Sequence, residues 1–340
     1  MCFMKGYKYI FVSTLALFFI GCTKQSDCLQ FTFNGDEASL SGFAPTSRID
    51  STHLIIPETI EREGKTSVVT MIEENAFKNY DYIVTITLPN SIKEIGAGAF
   101  CGCVSLDSIN IPVGITHLPK NVFKDCHNLK EIIIPNSVTY IDECAFENCT
   151  SLKLIEIPNS VKGIAKGAFR GCNNITHVKM SDSITVIEKE TFKGCEELQG
   201  IEFPRLLKNI DDYAFYGCHI YKINIPDGAE RIGVSAFEEC RGLQSVNMPN
   251  SITTIEKAAF RGCRFLETVH FSDSLVCIEP ETFNGCRSYR HIVIPKGIQV
   301  IRENAFANCK LTSLTVSQNT TIEHMAFCDC PDFEIFYYQW

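Results

Sequence analysis

The chain has 340 residues, 45% of them apolar, so it can bury a large core; by length alone it would divide into two domains. Its formal net charge is -9, which argues against nucleic acid or an anionic lipid surface as partner. Charged residues are scattered singly along the sequence with no basic block, so the charge pattern describes a soluble acidic surface and names no partner.

The N-terminus reads as an export signal. Lys5 and Lys8 form a short basic region, the apolar run Ile10 to Ile20 follows, and then Gly21-Cys22. A run of that length is too short to span a bilayer as a stable helix. Phe19 stands where a small-x-small cleavage site would need a small residue, whereas Phe19-Ile20-Gly21-Cys22 resembles a bacterial lipobox in which glycine precedes the modified cysteine. The resemblance implies a signal peptide over 1–21, lipidation of Cys22 and a membrane anchor through it. Phe19 departs from the leucine usual in such boxes. Thr23, in the place where an aspartate would retain the protein at the inner membrane, points to the outer membrane or cell surface. Without Lys5 and Lys8 the chain carries 29 basic and 40 acidic residues, a net of -11.

Beyond residue 53 one pattern governs the chain. A phenylalanine after a small residue recurs at Phe77, Phe100, Phe123, Phe146, Phe169, Phe192, Phe215, Phe237, Phe260, Phe283, Phe306 and Phe327. The spacing is 23 except for 22 between Phe215 and Phe237 and 21 between Phe306 and Phe327. Both shortenings fall partly in the link after the cysteine, and links absorb deletions where cores do not. One copy runs Leu129-x-x-Ile132-x-Ile134-Pro135-x-Ser137-Val138-x-x-Ile141-x-x-x-Ala145-Phe146-x-x-Cys149.

Each part of the unit has a physical assignment. The period of two in Ile132-x-Ile134 is a short strand with both isoleucines on one face. A following proline (Pro89, Pro112, Pro135, Pro158, Pro204, Pro226, Pro249, Pro295) cannot donate to a ladder and ends the pairing. Asn or Asp with Ser or Gly makes the turn, Val138 and Ile141 return to the interior, and Ala145 lets Phe146 fill the coil. One coil leaves both flanks wet and only stacking buries them. Twelve coils at about 4.8 Å each predict a body about 55 Å long.

The quoted unit closely resembles the BspA-like leucine-rich repeat family of bacterial surface proteins, over residues 54 to 330. The resemblance implies a leucine-rich repeat solenoid: right-handed coils of about twelve repeats of 23 residues, with one short parallel β-strand per repeat forming a curved sheet. It also implies attachment to host or neighbouring-cell components, matrix proteins among them. In the first coil Pro57 lies 20 residues before Phe77 instead of 11, so about nine residues around Glu61 to Val69 are inserted as a loop or hairpin. Ahead of the solenoid, 22–53 reads as a linker and a β-rich N-terminal cap. Residues 331–340, aromatic from Phe333 to Trp340, read as a C-terminal cap over the last coil.

Eighteen cysteines in an exported chain would ordinarily mean disulfides. Eleven of them, however, share one repeat position, three after the phenylalanine: Cys103, Cys126, Cys149, Cys172, Cys195, Cys218, Cys240, Cys263, Cys286, Cys309 and Cys330. Stacked, they form a column of near-parallel side chains, which suits buried free thiols better than the torsion a disulfide needs. Cys28, Cys101, Cys144, Cys277 and Cys328 lie off the column and would pair only incidentally. Cys101-Gly-Cys103 and Cys328-Asp-Cys330 look like metal half-sites but lack a second pair, so no metal or other cofactor is expected.

For catalysis, a nucleophile, a base and an orienting acid would have to meet on the strand face. That face presents Glu131 beside Ile133, Leu154 beside Glu156, and His177 beside Lys179. Glu202, Lys222, Asn224, Asn247, His270 and His291 continue it. His270 and His291 fall on adjacent coils without a third ligand or base nearby. The expectation is a non-catalytic surface protein that takes an extracellular protein or glycan ligand on this face. The alternative is a structural envelope lipoprotein or a polysaccharide-binding module.

Overall fold

The computed structural model describes residues 25–44 and 51–338. The segment read as an export signal, Cys22 and Trp340 lie outside them. No helix among the described residues is long and apolar enough to cross a membrane.

Twelve coils stack into one solenoid, numbered one to twelve by the phenylalanines from Phe77 to Phe327. Eleven of the twelve rings are fully buried, Phe327 being partly so. Successive centroids lie 5.1 to 5.7 Å apart with planes within 22° of parallel, an unbroken offset stack. Each coil except the fourth, which adds one, adds two short strands to parallel ladders. The first ladder contains Leu154–Glu156, His177–Lys179 and Gly200–Glu202 in register, and the second contains Val186–Ile187, Asn209–Ile210, Arg231–Ile232 and Thr254–Ile255.

Neither ladder is continuous. The first breaks between coils 3 and 4, 4 and 5, 7 and 8, and 10 and 11, and the second between coils 2 and 3, 5 and 6, and 9 and 10. No boundary is broken in both. Where one ladder opens, the other still holds the neighbouring coils together.

A third connection runs through the turns around each phenylalanine. In coils 1 to 10 the N–H groups of the phenylalanine and of the residues two before and two after it donate to carbonyls of the next coil, as in Gly98 to Lys120, Phe100 to Val122 and Gly102 to Lys124. Aiming three alternate N–H groups the same way requires a left-handed residue on each side of the ring, and all twelve coils have both. At the following position this explains Gly102, Gly171, Gly194, Gly217, Gly262 and Gly285, and the Asn or Asp at five other coils; Glu239 is the exception.

The insert in the first coil is a hairpin, Thr59–Arg62 against Lys65–Ile72, turning at Glu63-Gly64. The longer strand continues past it to pair with Glu94–Ile95 and so opens the second ladder. Ahead of it, Leu29–Asn34 and Glu37–Phe43 form an antiparallel hairpin, whose second strand lies parallel to Lys65–Ile72. Phe43 packs edge-on against Phe77, closing the start of the ring stack. At the other end Glu334–Tyr337 adds a further strand beside Ser313–Val316. This tail covers the last coil incompletely: Phe333 rests on Phe327, but Ile335, Phe336 and Tyr337 stay about half-exposed. They belong to a strand that pairs on one side only, with Ser313–Val316.

Candidate functional site

The cysteine column is structural. All eleven thiols are free, and each donates to the phenylalanine carbonyl of the preceding coil, from Cys103 to Phe77 at 3.1 Å through Cys172 to Phe146 at 3.0 Å to Cys330 on Phe306 at 3.1 Å. The same carbonyls accept the backbone N–H three residues on in their own coil, that of Tyr80 at Phe77 and of the column cysteine at the other ten. The thiol thus uses the second lone pair of an otherwise half-satisfied buried carbonyl. Both shortened links keep this bond, at sequence separations of 25 and 24 instead of 26. Burial pushes the Cys103, Cys172, Cys240 and Cys309 thiols up to about 12, far from a thiolate nucleophile at neutral pH. Cys28, expected to pair only incidentally, is disulfide-bonded.

The histidines do not assemble into a site. The first ladder is open between Thr268–His270 and His291–Val293, so His270 and His291 are not on hydrogen-bonded neighbours. His291 Nδ1 lies 2.9 Å from Ser313 Oγ and 3.1 Å from Thr312 Oγ1. None of the described residues places a carboxylate on its other nitrogen, which a nucleophilic Ser–His pair would need. No group of three or more His, Cys, Asp or Glu among the described residues could hold a metal.

On the strand face, Glu156, Lys179 and Glu202 stand opposite one another on consecutive strands, with His177 between Leu154 and Gly200 in the neighbouring row. Asn224, Asn247 and His270 form a second row, and Lys222 opposes Ser245. His291 opposes Ser313 beyond the next break.

Glu131 is the exception. The Glu131–Ile133 segment, expected to be a strand, pairs with neither flanking coil. Its Lys130 N–H still reaches Asp107, and Ile132 and Ile134 remain buried. One boundary earlier the ladder is paired at Thr85 and Ile86, but its next rung is made by a side chain: Asn110 accepts from Leu88 N–H and donates to Leu88 C=O, both at 2.8 Å.

The opening leaves a groove of about 840 Å³ between coils 4 and 6. Ile132 to Pro135, Leu154, Ile157 and Met180 line it, and Lys130, Glu131, Lys153, Glu156 and Lys179 rim it. Ile133 is 84% exposed and Leu154 52%. Lys130 is tied to Asp107; Glu131, Lys153, Glu156 and Lys179 form no ion pair among the described residues. An exposed apolar floor within a rim of unspent charges is the composition of a binding patch. The period-of-two reading placed Ile133 on the solvent face but did not see the break. The signal was an apolar residue where neighbouring coils carry polar ones.

Stacked short coils, each with a parallel strand and a buried leucine, isoleucine and phenylalanine set, define the leucine-rich repeat class of solenoids. A family model described as a BspA-type leucine-rich repeat region matches six copies, in spans 53–176, 116–230 and 208–334, and the chain belongs to that family. No curated protein matches it. Among solved structures it is similar to a leucine-rich repeat protein from Bacteroides ovatus (22% identity, 92% of this chain and 99% of that one, TM-score 0.64). It is also similar to a leucine-rich cell surface protein from Faecalibacterium prausnitzii (24%, 92% and 94%, 0.51) and to the pneumococcal vaccine antigen PcpA (18%, 94% and 89%, 0.52). At these identities the likeness shows the fold.

Proposed function

We propose that the chain is a non-catalytic binding protein displayed on a bacterial cell surface, and that it takes an extracellular protein ligand on the strand face, centred on the groove between coils 4 and 6. The observation that carries the reading is Ile133 and Leu154, held open to solvent by the break in the ladder and ringed by Glu131, Lys153, Glu156 and Lys179. Unpaired strand backbone on both sides of the break could also accept an extended segment of the partner by strand addition. His177 and Glu202 continue the surface beyond the rim, and Lys222, Asn224, Asn247, His270 and His291 extend it as a polar margin. Surface display is supported by the lipobox-like Phe19-Ile20-Gly21-Cys22 and by the description of two structural relatives as a cell surface protein and a vaccine antigen.

The test is saturable binding of the full chain to immobilised matrix proteins and host glycoproteins, comparing Ile133→Asp and Leu154→Asp with Val276→Asp, an apolar site elsewhere about as exposed as Leu154. Loss of binding in the first two alone supports the groove. Binding that survives both moves the site elsewhere. For the anchor, Cys22→Ser is expected to release the protein from the membrane fraction, and unchanged partitioning would remove that part of the reading.

A further inference from the structure

Stacking brings together charges that lie 23 residues apart in the sequence. The residue after the column cysteine is Val104, His127, Thr150, Asn173, Glu196 and His219 in earlier coils, and then Arg241, Arg264, Arg287 and Lys310 in four consecutive ones. At about 4.8 Å per coil these four form a line roughly 15 Å long on the flank of a chain whose net charge is -9.

Four arginines elsewhere are matched by carboxylates of neighbouring coils. Arg170 pairs with Glu147 and Glu190, Arg231 with Asp211, Asp212 and Glu256, Arg261 with Glu238 and Glu281, and Arg302 with Glu279 and Glu323. In the line, Arg241 is matched by Glu239, but Arg264, Arg287 and Lys310 are exposed, and among the described residues neither they nor the neighbouring Arg290 find an ion-pair partner.

A furrow follows the line. One depression of about 250 Å³ is lined by Arg264, Arg287, Gly262, Gly285 and Asn308, and a second of about 700 Å³ by Arg287, Arg290, Lys310 and Asn308, so the two share a wall. The turn glycines Gly262 and Gly285 supply a floor without side chains. Beside Arg264 stands Phe265, an aromatic ring 59% exposed. The carboxylates nearby are Glu239 and Glu267 at the near end and Asp329 and Asp332 at the far end; the last two bound the track beyond Lys310.

We propose that this furrow is a second binding site, separate from the strand-face groove, and that it takes a linear polysaccharide bearing sulfate or carboxylate groups. A single file of guanidinium and ammonium groups matches anionic groups strung along a thread. One ring next to the file matches the apolar face of a sugar. A nucleic acid strand would call for successive stacking platforms, and a membrane surface for a broad basic patch.

The test is retention of the full chain on immobilised heparin as a sulfated polysaccharide, with neutral dextran, oligo-dT and phosphatidylserine vesicles as the other arms. Wild type is expected to bind heparin at low salt, to release at high salt, and to ignore dextran. The triple variant Arg264→Ala, Arg287→Ala, Lys310→Ala is expected to lose tenfold or more in affinity. A control with the same kind of charge loss on coil 5, Lys162→Ala with Lys166→Ala, is expected to behave as wild type. Phe265→Ser is expected to weaken heparin binding at unchanged charge. All the altered side chains are exposed, so an unchanged melting curve confirms folding. No retention of wild type, equal retention of the triple variant, equal loss in the control, or tighter capture by oligo-dT or vesicles than by heparin would each overturn the proposal. Ile133→Asp retained on heparin as wild type is keeps this site distinct from the groove.

Discussion

The repeated thiol is the residue on which the coil-to-coil geometry turns, and it makes the molecule sensitive to alkali. A thiol whose folded value is raised binds its proton in the folded state after the unfolded chain has lost it. Stability is therefore fully present below the ordinary thiol value of 9.0 and falls as pH rises from there toward about 12. Each such thiol costs about 1.4 kcal/mol per pH unit in that window, so at pH 10 the four with values of about 12 together remove roughly 6 kcal/mol. Denaturant titrations at pH 7 and pH 10 check this. Equal stabilities would mean the column is not buried and neutral, and Cys172→Ala should weaken the pH dependence while lowering stability at pH 7.

The left-handed turn position gives a second residue-scale prediction. Gly217→Ala, where nothing crowds an added methyl, should cost only the conformational strain, about 1 kcal/mol. Gly171→Ala should cost more. Its Cβ would stand 2.3 Å from Asn148 Oδ1, and Asn148 is itself held by a 2.7 Å bond from its Nδ2 to Asp125. If urea midpoints rank the two the other way, the contact is not what constrains the site.

Among the elements, the interrupted strand ladder shows what a repeat pattern can and cannot say. The strand, the proline stop, the return pair and the Ala-Phe step were legible because each is a local demand of periodicity or turn chemistry. The left-handed pair around the ring was written as recurring Gly, Asn and Asp two after Phe, and was missed because those residues read as ordinary turn formers. The break at Glu131–Ile133 was not legible. Glu131-Ile132-Ile133-Ile134 has stronger strand propensity than its neighbours, and pairing depends on how the adjacent coils sit. The basic file was hidden by reading along the chain, where its members are solitary. Asn110→Ala tests the side-chain rung just ahead of the break. Losing both bonds to Leu88 should destabilise by about 1 to 2 kcal/mol, seen as a lower urea midpoint at constant slope. No change would mean that water replaces the amide at no cost.

At the scale of the whole molecule, a solenoid is held by contacts between neighbours, so its stability depends on its ends. The two ends differ. At the start, hairpin strands continue the second ladder and Phe43 closes the ring stack. At the finish, Thr321–Ile322 is an exposed edge, Phe327 is only partly buried, and half-exposed side chains form the last strand. Opening should therefore begin at coil 12 and advance toward the middle. Amide exchange in the Phe327 turn and at Ser313–Val316 should be faster than at the Phe77 turn and Lys65–Ile72, with central coils slowest. The staggered breaks add a finer expectation. Amides of Glu131 to Ile134 should exchange faster than the equivalent Leu154–Glu156 strand, while Tyr140–Ile141 in the same coil stays protected by its intact ladder. Equal exchange along Glu131–Ile133 and Leu154–Glu156 would contradict the open ladder and remove the groove built on it.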